Sequence, residues 1–329
     1  MKLCQYSIGG GQPRLGAGLP GDRIGDLAGG LLGALSASTR AGGVADYRFP
    51  RSMEELISDG EAGLAAARAA DGWLKANASK LGEPLVFDMA SVHVHAPITR
   101  PPKFFSVAIN NKVMLSRCKR APGGENNPHY FIKLHTTIVG PFDPVEIPPV
   151  GQVGSEIEVA IVIGKGGRHI PQEKALEHVF GYMTHNDVTA HEMRRTSEWV
   201  IVNAGKPNEE RLSYPGRYKN LEKSAPLGPW LVTRDEVPDP QNLQYRAWLN
   251  GSMCMEGSSA DHMFTAAYLV SYLSKAHTLE AGDIISSGTV PAKDPWTFAT
   301  IDFLKAGGHV EAEIVSLGRQ KNEIKPVPL

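Results

Sequence analysis

The chain has 329 residues, with 34 basic side chains against 35 acidic ones and a formal net charge of -1, so nothing global points to nucleic acid or an anionic membrane. Cys4, Cys118 and Cys254 lie far apart and are odd in number. They make neither a disulfide framework nor a zinc pattern, and with no long apolar run at the start or elsewhere the expectation is a soluble cytoplasmic protein with an ample core.

Residues 1–98 read as a small N-terminal α/β domain. Lys2 to Ile8 and the pieces between Leu15 and Asp26 have strand character and Gly-rich turns, and helices follow. Ser52-Met53-Glu54-Glu55 offers a capping box, and Glu61 to Lys80, rich in Ala and Leu, predicts a longer helix. Gly16-Ala17-Gly18-Leu19-Pro20-Gly21 matches the dinucleotide pattern formally. Pro20 and the Gly-Asp turn after it do not open a helix on a phosphate, so that reading is rejected. His93-Val94-His95 places two imidazoles on one strand face, read as a plain surface or interface pair.

Ile98 to Pro102 reads as a linker that marks the boundary between residues 1–98 and a second domain, residues 99–329. Lys103 to Ile109 predicts a buried strand running into a polar stretch, Asn110 to Pro128, that carries Lys112, Arg117, Lys119 and Arg120 with Gly123-Gly124. A Gly-hinged basic loop at the end of a core strand suits a lid over an anionic substrate, or is merely solvated. Tyr130 to Lys133 is the next strand, and prolines at 141, 144, 148 and 149 punctuate the approach to the centre of the chain.

That centre is Gly154 to Asp187. From Glu156 to Ile163 the strand alternation puts Glu156 and Glu158 on one face with Ala160 and Val162, and leaves Ile157, Val159, Ile161 and Ile163 on the other. Two carboxylates about 7 Å apart on a mostly buried strand need positive charge between them. Basic side chains would serve, and so would a hard divalent cation, for which oxygen ligation favours Mg²⁺, Mn²⁺ or Ca²⁺. A helix-length crossover, Pro171 to Phe180, feeds a second short strand ending at Asn186-Asp187, so Asp187 is the candidate third carboxylate. The bland alternative is an edge strand with solvated acids and an ordinary Asn-Asp turn.

Thr189-Ala190-His191-Glu192 reads as a second capping box. Arg195 to Tyr218 is irregular, and Leu243 to Gly257 reads as a hairpin turning at Asn250-Gly251. Ala260 to Lys275 has helical spacing, and Leu279 to Thr289 and His309 to Leu317 supply the last strands. Strands outnumber helices, which predicts an α+β architecture, mostly β, built on a rolled mixed sheet.

Glu156-Ile157-Glu158-Val159-Ala160-Ile161-Val162-Ile163-Gly164-Lys165, followed by Gly181-Tyr182 and Asn186-Asp187-Val188-Thr189-Ala190, resembles the core of the fumarylacetoacetate hydrolase (FAH) family. Ala225 to Thr233, Asn250-Gly251, Leu279 to Ile285 and Ser287-Gly288-Thr289 match in the same order. The resemblance covers roughly two thirds of the chain, from about Arg100 to Gly318, and selects the metal reading for Glu156, Glu158 and Asp187. It implies the family's fold, a small non-catalytic leading domain, a basic loop that serves as a mobile lid, a homodimer, and a place in aromatic or sugar-acid catabolism. By the same resemblance Lys219, in Lys219-Asn220-Leu221-Glu222, lies beside the metal and stabilises an oxyanion, with Glu222 replacing the usual Asp. Thr289 binds a substrate carboxylate, and Lys133 belongs to a Phe-x-Lys segment at the substrate. Arg194 stands where relatives have a substrate-binding glutamine, which hints at an acidic substrate.

An ion on the triad leaves about three open octahedral positions, and a 2,4-dioxo acid chelating there would have its enolate stabilised by a Lewis acid. Many relatives activate water with a histidine and glutamate that align here with Met114 and Arg117. A thioether cannot accept a proton at neutral pH, so the usual base is absent. His129, His135, Glu125 and Glu192 are candidate replacements. The expectation is a metal-dependent hydrolase cleaving an acylpyruvate-type C–C bond. An isomerase or decarboxylase on the same substrates is the first alternative, and an inactive family member serving in binding or assembly is the second.

Overall fold

The computed structural model describes residues 1–37, 48–112, 127–289 and 301–328. Met114, Arg117, Glu125 and most of the basic loop therefore lie outside the described residues. The leading segment holds β1 (Lys2–Ser7), β2 (Arg14–Leu19), β3 (Arg23–Asp26), α1 (Leu27–Ala37), α2 (Met53–Ser58), α3 (Gly60–Asn77), β4 (Val86–Asp88) and β5 (His93–His95). The Gly16 to Gly21 pattern lies in β2 and the turn after it, as its rejection requires. Ser52 caps α2 by accepting from the Glu55 amide at 3.2 Å. Its box is completed one residue early, with the Glu55 carboxylate accepting from the Arg51 amide at 2.8 Å.

Next come β6 (Phe104–Ala108), β7 (His129–Ile132), β8 (Ile138–Val139), β9 (Val145–Ile147), β10 (Ile157–Ile163) and β11 (Val179–Asn186). The crossover between β10 and β11 is not a full helix but a 3₁₀ segment, Gln172–His178, and β11 is longer than expected. The two strands need no helical crossover, because they pair antiparallel. The irregular stretch after residue 195 contains a small hairpin, β12 (Val200–Val202) with β13 (Glu210–Leu212). It is followed by β14 (Ala225–Pro226), β15 (Leu231–Thr233), β16 (Gln244–Leu249), β17 (Ser252–Ser258), β18 (Ile284–Ser286), β19 (His309–Ile314) and β20 (Gly318–Pro326). The β16–β17 turn is the expected one, with Asn250 at φ 50° and Gly251 at φ 80°. The helix expected from Ala260 starts only at Ala266, after a 3₁₀ turn at Ser259–Asp261, where Thr265 caps it.

Ten strands of the main sheet run β4-β3-β2-β1-β15-β11-β10-β18-β6-β7, with β5 also on β1. The β18–β6 pair is parallel and its neighbours are antiparallel, so the sheet is mixed. A second sheet runs β17-β16-β19-β20-β9. The architecture is α+β and mostly strand, as the sequence patterning implied.

β10 sits at the centre of both cores and is buried at every position. Ile157, Val159, Ile161 and Ile163 pack with Tyr245, Ala247, Ala312 and Ile314 of the second sheet. Ala160 and Val162 share the other core with Leu56, Ala66, Ala70 and Leu74 of the leading helices. Residues 1–98 thus cover one face of the central strand, and β1 joins the same sheet through Lys2↔Val232 and Leu3↔Leu231.

Candidate metal centre

Antiparallel pairing builds the centre. Register Glu158↔His185 and Ile157↔Asn186 places Asp187 opposite Glu156, and the Asp187 amide donates to the Glu156 carbonyl at 2.8 Å. Strand alternation keeps Glu156 and Glu158 on one face. As a result Glu156, Glu158 and Asp187 each offer an oxygen within 4.8 Å of the others, and they are the one such group of three or more metal-ligating side chains among the described residues.

Two lysines are wired into these acids. Lys219 Nζ donates to Asp187 Oδ2 at 2.6 Å, Thr189 Oγ1 at 2.7 Å and Glu156 Oε2 at 2.8 Å. Lys133 Nζ donates to Asp187 Oδ1 and to the Lys219 carbonyl, both at 2.6 Å. Thr189 therefore serves the site and caps no helix: the short helix His191–Thr196 starts after Ala190 without a side-chain cap. Glu158 accepts from Ser286 Oγ at 2.5 Å, from the Gly288 amide at 3.1 Å and from Ser106 Oγ at 3.5 Å.

Basic side chains and a cation were the two ways of compensating the acids, and the lysines supply only part of what is needed. Three carboxylates and two ammonium groups leave one buried negative charge in excess. Among the described residues no lysine or arginine is within ion-pair distance of Glu158; its one basic neighbour is His185, at 4.0 Å. Burial, followed by the Asp187 charge, pushes the Glu158 carboxyl up to about 8. Burial would raise Asp187 as well, but Lys133 and Lys219 outweigh it and hold that carboxyl well below the usual range. Lys219 is raised despite its burial, because Asp187 and Glu156 favour the ammonium form. Burial drives His185 down to about 3 and His191 down to about 4, so both are neutral imidazoles beside the acids.

The donor set fits a hard divalent cation: oxygen atoms only, closely convergent, with an excess charge that a cation would neutralise in place of a proton. Glu156, Glu158 and Asp187 are the residues that would hold it.

The remaining expected site residues fall in different places. Lys133 is fully buried and its ammonium is committed to Asp187 and the Lys219 carbonyl. Thr289 is half-buried, and its carbonyl accepts from Asn111 Nδ2 at 3.0 Å. Arg194 is exposed on the helix His191–Thr196, where its charge helps depress His191. Of the candidate bases, His129 and His135 are exposed, and Glu192 accepts from the Gln152 amide at 2.9 Å. The sequence reading missed Ser286, Thr189 and His185. Alternation could have found His185, two residues before Asp187 on the same strand face. The short His93–His95 pair also has a carboxylate neighbour, Asp143 at 3.5 Å from His93.

This is an α+β protein with a buried acidic centre suited to a hard divalent cation and wired to two lysines. It belongs to the fumarylacetoacetate hydrolase family: the profile described as Fumarylacetoacetate (FAA) hydrolase C-terminal matches residues 103–325. The chain is 34% identical to the mitochondrial oxaloacetate tautomerase FAHD2A of Homo sapiens, over 85% of this chain and 81% of that protein. It is 31% identical to the oxaloacetate tautomerase YisK of Bacillus subtilis (strain 168), over 84% and 87% respectively. Among solved structures it resembles the maleylpyruvate hydrolase of Sphingobium sp. SYK-6, at 25% identity and a TM-score of 0.66, covering 99% of this chain and 100% of that one. No helix among the described residues is long and apolar enough to cross a membrane.

Proposed function

We propose that the protein is a divalent-cation-dependent tautomerase that interconverts the keto and enol forms of a small 2-oxo dicarboxylic acid, with oxaloacetate as substrate. The observation that carries this reading is the convergence of Glu156, Glu158 and Asp187 within 4.8 Å, three acids against the two lysines bonded to them. Support for the substrate comes from the tautomerases above, which match across most of the chain. Met114 and Arg117, at the positions where many relatives activate water, favour moving a proton over adding water.

Mg²⁺ or Mn²⁺, with Ca²⁺ as a weaker choice, would polarise the substrate carbonyl as a Lewis acid when bound. A solved maleylpyruvate hydrolase complex containing manganese and pyruvate makes Mn²⁺ the first ion to try. Lys219, held as an ammonium by its bonds to Asp187, Glu156 and Thr189, stabilises through its positive charge the oxygen on which negative charge develops. Thr289 receives the 1-carboxylate, and Arg194 draws the distal carboxylate toward the mouth of the site. Lys133 orients Asp187. Residues 1–98 act as a structural unit that contributes no reacting group, and 99–329 as the catalytic one. Exposed Ile132, at the end of the sheet-edge strand β7, and Leu134 just after it support a homodimer. The half-buried free thiol of Cys254 supports a reducing compartment such as the cytoplasm.

Hydrolysis of an acylpyruvate is the second reading, favoured by the likeness to maleylpyruvate hydrolase. The test is purified protein with Mn²⁺ or Mg²⁺, enol-rich oxaloacetate, and enol absorbance followed against a chelator control. Cation-dependent acceleration of ketonisation without CO₂ is expected. Carboxylic acid released from acylpyruvates would establish the hydrolase instead, CO₂ from oxaloacetate would establish a decarboxylase, and no turnover of either would leave a binding protein.

A further inference from the structure

Ser286 to Thr289 is held from two sides. On one side Ser286 Oγ and the Gly288 amide donate to Glu158 Oε2. On the other side stand the first residues of the polar stretch that follows β6. Asn110 is fully buried; its Nδ2 donates to the Ser287 carbonyl at 2.7 Å and to the Phe264 carbonyl at 3.0 Å, and its Oδ1 accepts from the Phe264 amide at 2.8 Å. Asn111 Nδ2 donates to the Thr289 carbonyl at 3.0 Å. His262 closes the corner through an isolated antiparallel bridge to Asn111, and the Met263 amide donates to the Asn110 carbonyl at 3.3 Å.

In a trans peptide the carbonyl and the N–H point in opposite directions. Asn110 grips the Ser287 carbonyl, and the N–H at the far end of that same peptide unit is the one donated to Glu158. A single rigid plane therefore links Asn110 to a carboxylate of the centre. Contact is close enough that Gly288, at φ +88°, has no room for a side chain. An added Cβ would stand 2.9 Å from Asn110 Cβ and 3.0 Å from the Val107 carbonyl oxygen. Asn111 meanwhile fixes the next carbonyl but one, that of Thr289.

We propose that Asn110 and Asn111 are positioning residues with separate targets: Asn110 aims Glu158 at the cation, and Asn111 aims Thr289 at the substrate carboxylate. The second half rests on the proposed role of Thr289, while the first does not depend on the substrate at all. Outer partners of metal ligands are commonly worth about 10–100-fold in affinity.

The experiment measures Mn²⁺ affinity by calorimetry and electron paramagnetic resonance on Asn110→Asp, Asn111→Ala and the unsubstituted protein. The binding of pyruvate to the Mn²⁺-loaded forms, and KM and kcat for oxaloacetate, are measured in parallel. Asn110→Asp keeps the size but turns two donors into an acceptor facing carbonyls, and is expected to weaken Mn²⁺ at least about tenfold. Asn111→Ala is expected to hold Mn²⁺ within about twofold while weakening pyruvate and raising KM by about tenfold, with kcat changed far less. Gly288→Ala displaces the same peptide by crowding it against Asn110 Cβ and the Val107 carbonyl and should reproduce the Mn²⁺ loss with Asn110 unchanged, a second variant that guards against a folding failure in Asn110→Asp. Equal losses of both ligands in both asparagine variants, tracking a fall in Tm, would overturn the separation of roles, as would wild-type affinities throughout. If the unsubstituted protein binds Mn²⁺ but neither binds pyruvate nor turns over oxaloacetate, the tautomerase reading fails and the Asn110 result still stands.

Discussion

Loading the centre with a cation should expel a proton, in an amount set by Glu158. Without an ion its carboxyl titrates near 8 because it is buried beside Asp187. About nine tenths of the molecules therefore carry that proton at pH 7 and about one tenth at pH 9. Competition makes the cation about tenfold weaker at pH 7, and about 100-fold weaker at pH 6, than well above pH 8. The same group makes the ion-free fold lose stability as pH rises. Its folded pKa lies above its unfolded value of 4.5, so between about 4.5 and about 8 the native state binds more protons than the unfolded state and each step up in pH favours unfolding. Saturating Mn²⁺ should remove that decline. Calorimetric titration of Mn²⁺ in two buffers of different ionisation enthalpy counts the released protons directly. A count near zero at pH 7, or one that does not fall between pH 7 and pH 9, would refute the assignment of the surplus charge to Glu158.

Asp187→Asn removes the carboxylate that both lysines grip, and should lower Mn²⁺ affinity by at least about 100-fold in a calorimetric titration. Lys219→Met, at a group that donates to Glu156, Asp187 and Thr189, should cost about 100-fold or more in kcat for oxaloacetate while the circular dichroism spectrum stays native. Ile161→Ala, at a fully buried position of β10, should destabilise the fold by about 2–5 kcal/mol, read from the urea midpoint at constant m. Adding Mn²⁺ at about 100 times its Kd should stabilise the chelator-treated protein by about 2.7 kcal/mol, seen as a higher Tm in scanning calorimetry.

The central strand was legible because its chemistry is local. Alternation alone assigns Glu156 and Glu158 to one face and four apolar residues to the other, and the structure keeps both assignments. Asp187 was reachable because the chain returns beside Glu156 in the adjacent strand. The family resemblance put Lys219 beside the metal acids, but spacing alone could not supply the partner of each charge. Lys133 and Lys219 meet at Asp187 from positions 54 and 32 residues away, a convergence that only the folded sheet creates. The Thr189 box failed for a related reason: its hydroxyl was drawn to an ammonium group instead of a helix amide. Likewise the helix expected between β10 and β11 gave way to a tight 3₁₀ segment once the strands paired antiparallel.

The junction between β1 and β15 limits how the chain can be shortened. A fragment trimmed to residues 103–325 would lose the strand that covers β15, leaving unsatisfied amides and carbonyls along an open border. It would also bare Leu231, Phe180 and Val162, which the leading helices keep dry. Such a fragment should come out of cells as aggregate, so the leading segment has to be present for the remainder to stay monodisperse.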